Sequence, residues 1–236
     1  MAAEDRSIPS RASAGPRPAV LRIGSKNYSS WSLRGWLLAR LSGLAFTEEA
    51  VRPDDPVMRA ELLLQAASIR IPCLFHDGAV IWDTLAIGEY LNELCPEAGL
   101  LPSERRSRAH CRAISGEMHA GFTALRSALP MNLRGHFPGF RLWSGPRADI
   151  ARIVQIWSEC LDRHGGPFLF GAAPGLADAM YAPVATRLRS YDVALEGPAA
   201  SYAATLLAWP EMVAWRTAAL AEPEPPIPEL ELDAEF

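Results

Sequence analysis

Residues 72–84 read Pro72-Cys73-Leu74-Phe75-His76-Asp77-Gly78-Ala79-Val80-Ile81-Trp82-Asp83-Thr84, and this stretch decides the fold class. Asp77-Gly78 is a strong two-residue hairpin signal, because both central positions of such a turn need a positive φ. The apolar runs on either side therefore predict two antiparallel strands. Asp83-Thr84 then opens a helix whose apolar residues Ile87, Tyr90, Leu91 and Leu94 recur at i, i+3, i+4 and i+7, and Pro96 closes it.

The order changes toward the N-terminus. Pro18 to Ser25 predicts a strand carrying Val20, Leu21 and Ile23 and ended by Gly24-Ser25. Leu33, Trp36, Leu37 and Leu41 have helical spacing, with Gly43 in the usual C-terminal position. Phe46 to Val51 predicts a second strand and Val57 to Gln65 a short helix. Strand, helix, strand, helix is the pattern of a parallel βαβ unit. Residues 18–96 thus predict a βαβα-ββα domain with a mixed four-stranded sheet.

Toward the C-terminus, residues 97–103 read as a linker, and from Glu104 onward the pattern is helical throughout. Cys111, Ile114, Met118, Phe122, Leu125 and Leu129 step by three and four, predicting one continuous helix stopped by Pro130. A Gly/Pro/Phe-rich connection, Asn132 to Pro146, leads to a helix bearing Ile150, Ile153, Val154, Trp157 and Leu161. Further helices are predicted from near Leu176, over Ala199–Ala208 and over Pro210–Leu220. Residues 104–220 form the predicted all-α domain. Residues 1–17 and 221–236 are expected to be a disordered tail and an acidic, proline-broken, solvated tail.

Composition narrows the function. The 236 residues are 49% hydrophobic and 21% charged, the usual mix for a soluble chain with a buried core. No stretch approaches the roughly 20 apolar residues of a membrane span, and Met1 to Arg17 has no apolar segment of the secretory kind. A cytoplasmic location without membrane contact is expected. The net charge is −4, and removing the six acids of Ala221–Phe236 turns it to +2. So neutral a body has no electrostatic footprint for nucleic acid. Cys73, Cys95, Cys111 and Cys160 stand far apart with neither C-x-x-C nor metal-ligand spacing, which predicts core residues and no metal site. His76 is expected to be a polar hairpin residue, and His110, His119 and His136 satisfied residues of surface or core.

Three features fall where ligands gather on an open α/β sheet, beyond the carboxyl ends of strands where helix N-termini expose N–H groups. Tyr28-Ser29-Ser30-Trp31 lies between the first strand and helix; its serines can cap the helix or turn a hydroxyl to a ligand. Arg70-Ile71-Pro72 precedes the third strand, and a cis Ile71–Pro72 bond would turn backbone groups outward as partners for a bound peptide. Asp83-Thr84 sets a carboxylate and a hydroxyl beside free N–H groups, able to cap the helix or to hold the ammonium and carboxylate of an amino-acid-like ligand.

Ser-Ser before a helix, Ile-Pro before a strand and Asp-Thr before a helix, within βαβα-ββα followed by helices, resembles the glutathione S-transferase family over residues 18–220. The resemblance implies an α/β thioredoxin-like domain that binds glutathione as co-substrate. It also implies a helical domain that supplies the site of a small hydrophobic electrophile, a cis Ile71–Pro72 bond and a homodimer. Carried over to this chain, the binding set is Arg70, Ile71, Pro72, Asp83 and Thr84, with Asp-Thr in place of the more usual Glu or Gln then Ser. Ser29-Ser30-Trp31-Ser32-Leu33-Arg34 is similar to the Ser-Ser-Cys-x-x-Arg motif of the zeta-like class, with Trp31 in the cysteine position. That exchange argues against the classes that depend on a cysteine there. Gly175-Leu176-Ala177-Asp178 is similar to the family's capping box, with Asp178 structural.

A thiol of pKa about 8.5 needs about 2.7 kcal/mol of preference for its charged form to fall by two units. A hydrogen bond to an ionised group supplies about 1.5–3 kcal/mol, and a helix N-terminus adds about 0.3–1 kcal/mol. The expected catalytic group is therefore Ser29, with Ser30 the close alternative and Tyr28 a more distant one. The reaction expected is transfer of glutathione to the electrophile. The alternatives are a glutathione-dependent isomerase of the maleylacetoacetate isomerase kind and a non-catalytic interaction module.

Overall fold

The computed structural model of the protein describes residues 18–51 and 71–223. The helix expected over Val57–Gln65, the binding candidate Arg70, the N-terminal tail and the acidic segment 224–236 lie outside the described residues. Strands β1 (Ala19–Ile23), β2 (Phe46–Ala50), β3 (Cys73–His76) and β4 (Ala79–Trp82) form one mixed sheet of order β2-β1-β3-β4. β1 and β2 run parallel, whereas β1–β3 and β3–β4 are antiparallel. The turn that decided the reading has Asp77 at φ 49° and Gly78 at φ 80°, as a tight hairpin with right-handed strand twist requires.

Helices α1 (Ser30–Ser42) and α2 (Thr84–Leu94) belong to the sheet domain, and a single 3-10 turn at Pro96–Ala98 leads out of it. Then come α3 (Arg105–Ala120), α4 (Thr123–Ala128), α5 (Ser144–His164), α6 (Leu176–Ser190), α7 (Gly197–Ala208) and α8 (Pro210–Ala221). The sheet domain followed by helices is the thioredoxin-like architecture expected. The continuous helix expected up to Pro130 is instead broken between α3 and α4. Gly121 ends α3, its N–H donating to Glu117 O at 2.8 Å, and Phe122 takes the left-handed φ of 60° while keeping its ring buried. The apolar spacing runs through the break, so periodicity alone could not reveal it. Arg126 compensates by donating to the carbonyls of Met118 and His119 left open at the end of α3.

Helix α1 is the hub. Leu33, Leu37, Leu38 and Ala39 are fully buried, and α1 packs against the sheet, α2 and α6. Gly35 sits mid-helix, where glycine costs about 1 kcal/mol relative to alanine. A Cβ there would stand 2.7 Å from Pro72 Cγ, so its absence lets the Pro72 ring seat against α1. Arg34, buried on the same helix, donates from Nε to Met180 O at 2.8 Å and from Nη1 to Ser30 Oγ at 3.1 Å, joining α1 to α6.

Two stretches outside the helices are anchored by their side chains. Phe137 and Phe140 pack on Tyr191 at the end of α6, with ring centroids 4.8 Å and 5.0 Å away. Glu222, assigned by sequence to the solvated tail, is half-buried and hydrogen-bonded to the loop after β1, because α8 folds back across α1 and carries it there.

Candidate functional site

Strand register brings the three sequence features to one end of the sheet. Arg22 pairs with Cys73 and Cys73 with Trp82, so the next residues on the three strands, Ile23-Gly24, Ile71-Pro72 and Asp83, stand side by side. The Ile71–Pro72 peptide is cis. A Cβ on Gly24 would stand 2.8 Å from Ile71 Cδ1 and 3.7 Å from Ser29 Oγ, so the Ile71 side chain and the Ser29 hydroxyl flank the same point.

The two serines divide the alternatives left open by sequence. Ser29 is the N-cap of α1; its Oγ accepts from Ser32 N at 3.2 Å and its hydroxyl donates to Ser32 Oγ at 2.8 Å. Ser32 Oγ in turn accepts from Gly24 N at 2.9 Å. Each hydroxyl carries one proton and can rotate. Ser32 can therefore donate to Ser29, which frees the Ser29 proton for an acceptor placed at the helix N-terminus. Ser30 is buried beneath Arg34, whose guanidinium its oxygen receives. Capping and ligand contact are thus compatible at Ser29, while Ser30 serves the junction between domains.

Asp83 caps α2, its Oδ1 accepting from Leu85 N at 2.8 Å and Ala86 N at 3.4 Å. Its backbone has φ 73° and ψ 139°, a sparsely populated region for a residue with a side chain that costs about 1–3 kcal/mol and concentrates at functional sites. Thr84 is 1% exposed, and its buried Oγ1 has no hydrogen-bond partner. A buried orphan hydroxyl costs about 1–3 kcal/mol, and this one stands at the N-terminus of α2, next to the Asp83 cap.

Within the helical domain, the sequence reading missed His119. His119, near the end of α3, pairs through Nε2 with Asp83 Oδ2 and lies 5.0 Å from the Trp31 ring, centroid to centroid. The same Trp31 ring is faced by Arg34 at 4.6 Å and Arg126 at 4.7 Å. Trp31, in the cysteine position of the similar motif, is half-buried between these two guanidiniums at the junction of the two domains. No local pattern announces His119, since its partner lies 36 residues away on another element.

Thiol chemistry is disfavoured at three of the four cysteines, Cys73, Cys111 and Cys160. All four cysteines are free, and burial pushes Cys73 up to about 11 and Cys111 and Cys160 up to about 12, leaving negligible thiolate at neutral pH. Among the described residues no group of three His, Cys, Asp or Glu side chains could hold a metal ion, and no helix is long and apolar enough to cross a membrane.

Comparison with known proteins matches the family model for the glutathione S-transferase N-terminal domain to residues 28–94 and that for the C-terminal domain to residues 116–218. A probable maleylacetoacetate isomerase of Caenorhabditis elegans is 41% identical over 115 residues, 49% of this chain; the chain spans little more than half of that relative, 54%. Among solved structures, a maleylacetoacetate isomerase from Anaeromyxobacter dehalogenans, with bound dicarboxyethyl glutathione and citrate in its active site, is similar with a TM-score of 0.60 and 26% identity, over 90% of this chain and 96% of its own. A glutathione transferase homologue from Burkholderia gl BGR1, with bound glutathione, shares the fold with a TM-score of 0.66 at 20% identity, over 87% of this chain and 100% of its own.

Proposed function

The chain belongs to the glutathione S-transferase family, and from that premise we propose that it binds glutathione along the Ile71–Pro72 edge and activates its thiol for attack on a small electrophile. The observation that carries the reading is the placement of the Ser29 hydroxyl at the N-terminus of α1, beside Ile71 and with Ser32 able to donate to it. In this reading the thiol loses its proton to water, and Ser29 with the open N–H groups of α1 holds the resulting thiolate. The sulfur lone pair then forms a carbon–sulfur bond as the leaving group departs with its electrons. Ser29 donates a hydrogen bond and takes no proton. Ile71 and Pro72 line the peptide, Thr84 Oγ1 receives the γ-glutamyl carboxylate, and Asp83, shared with His119, receives the ammonium. The same reading keeps a cytoplasmic homodimer.

Ser29→Ala tests the reading. Calorimetry with millimolar glutathione should still give heat, while turnover of a small aromatic electrophile should fall by about 100-fold, the usual cost of removing one donor from a developing anion. Unchanged turnover in Ser29→Ala with a loss in Ser30→Ala would move the role to Ser30. Absence of heat with the unaltered chain would leave the non-catalytic interaction module.

A second reading, glutathione-dependent cis–trans isomerisation, draws support from the names of the relatives and from the Arg126 guanidinium that faces Trp31. It needs no cysteine, because glutathione supplies the thiol that adds and leaves. Isomerisation of a maleyl substrate in the presence of glutathione, set beside conjugation by the same preparation, distinguishes the two.

A further inference from the structure

The loop Ser25–Asn27, which leads into Ser29, is held from the helical domain at every residue, with Lys26 also paired to Glu48 of β2. The Glu222 carboxylate, just past α8, accepts from Ser25 Oγ at 2.8 Å, Lys26 N at 2.7 Å and Asn27 N at 3.2 Å. From α8 itself, Trp215 Nε1 donates to Lys26 O at 2.9 Å. Asn27 is held from the other side: its Nδ2 donates to Asn132 Oδ1 at 3.2 Å and its Oδ1 accepts from Arg134 N at 3.0 Å. Arg134 closes the arrangement, its guanidinium donating to the carbonyls of Ala219 and Glu222. The loop hands this restraint on to the serine directly, because Ser29 N donates to Ser25 O at 2.9 Å.

We propose that Glu222 is a positioning residue for Ser29: by gathering two backbone N–H groups and a hydroxyl onto one carboxylate, it fixes the turn from which the Ser29 hydroxyl reaches the glutathione sulfur. The inference rests on the reading of Ser29 as the thiolate's partner. Its consequence is that a residue just past α8 sets the acidity of a thiol bound to the other domain. A direct charge effect of Glu222 would have the opposite sign, since a nearby carboxylate disfavours a thiolate and its removal would make the thiol more acidic. A loss of acidity on removing Glu222 therefore reports position and not charge.

The test is titration of the ultraviolet absorbance of enzyme-bound glutathione thiolate in the full chain, with Glu222→Ala, Glu222→Gln and Ser29→Ala. In Glu222→Ala the pKa of the bound thiol should rise by about one unit, with kcat near neutral pH falling alongside and KM for glutathione changing less. Glu222→Gln retains an acceptor for Lys26 N but turns an amide donor to its other partners, so it should lie between, and it serves if the alanine variant does not fold. A thiol as acidic as in the parent protein in both Glu222 variants, with a clear loss in Ser29→Ala, overturns the inference alone. If Ser29→Ala also leaves the thiol unmoved, the serine reading falls and the inference with it.

Discussion

At the scale of single residues, the site is built from side chains whose local duties and proposed chemical duties coincide. Ser29 caps α1 and Asp83 caps α2, so each helix N-terminus is closed by the group proposed to meet the ligand there. Thr84 differs, since its buried hydroxyl has no partner. Thr84→Val keeps the shape and removes the orphan, so the glutathione-free protein should melt at the same or a slightly higher temperature. The same substitution should raise the glutathione Kd by about tenfold, one lost hydrogen bond to a charged group. Calorimetry and thermal unfolding on one preparation read both, and weakened binding accompanied by a large loss of stability would instead make Thr84 a packing residue. Ser29, Ile71, Asp83 and Thr84 stood out as candidates in the sequence because each sits at a boundary between elements and because their joint order resembles that of the family. The different surroundings of Ser29 and Ser30 were not legible, because only the fold shows Arg34 covering Ser30. His119 was illegible for a related reason: a histidine on a helix carries no mark of the carboxylate that another domain brings to it.

At the scale of elements, α6 shows why a departure from a familiar pattern need not weaken it. Gly175 offers no capping hydroxyl, yet a Cβ there would lie 3.0 Å from Leu100 O, and Leu176 N donates to that same carbonyl at 2.8 Å. Close backbone approach thus takes precedence over a hydroxyl cap. Asp178 supplies the rest, accepting from Gly175 N at 2.9 Å, Leu169 N at 3.0 Å and the Tyr202 hydroxyl at 2.8 Å. Complete burial outweighs these donors and pushes its carboxyl up to about 6. The folded chain therefore holds this proton more tightly than the unfolded chain, and the contribution of Asp178 to stability declines as pH rises from about 4 through about 6. Asp178→Asn removes the titration, so its urea stability should lack that decline, a difference of about 3 kcal/mol in the pH dependence. Parallel profiles for the two proteins between those pH values would contradict it. Pattern located α6 and the family resemblance its cap, whereas periodicity concealed the break at Gly121, where apolar spacing continues past the end of the helix.

At the scale of the whole molecule, the two domains meet along α1, and each holds part of the other's site. Arg34 ties α1 to α6, His119 brings α3 to Asp83, and Glu222, just past α8, holds the loop before Ser29. The order of elements was readable from the hairpin and the hydrophobic periods. These ties between domains were not, because each joins residues that are distant in sequence and unremarkable in their own surroundings. The account depends on where a single sulfur atom lies, and the most direct measurement is a crystal structure of this chain with glutathione. The sulfur is predicted within hydrogen-bonding reach of Ser29 Oγ, with the peptide along Ile71–Pro72 and its γ-glutamyl end on Thr84. A sulfur directed at Ser30, or a tripeptide seated away from that edge of the sheet, would contradict it.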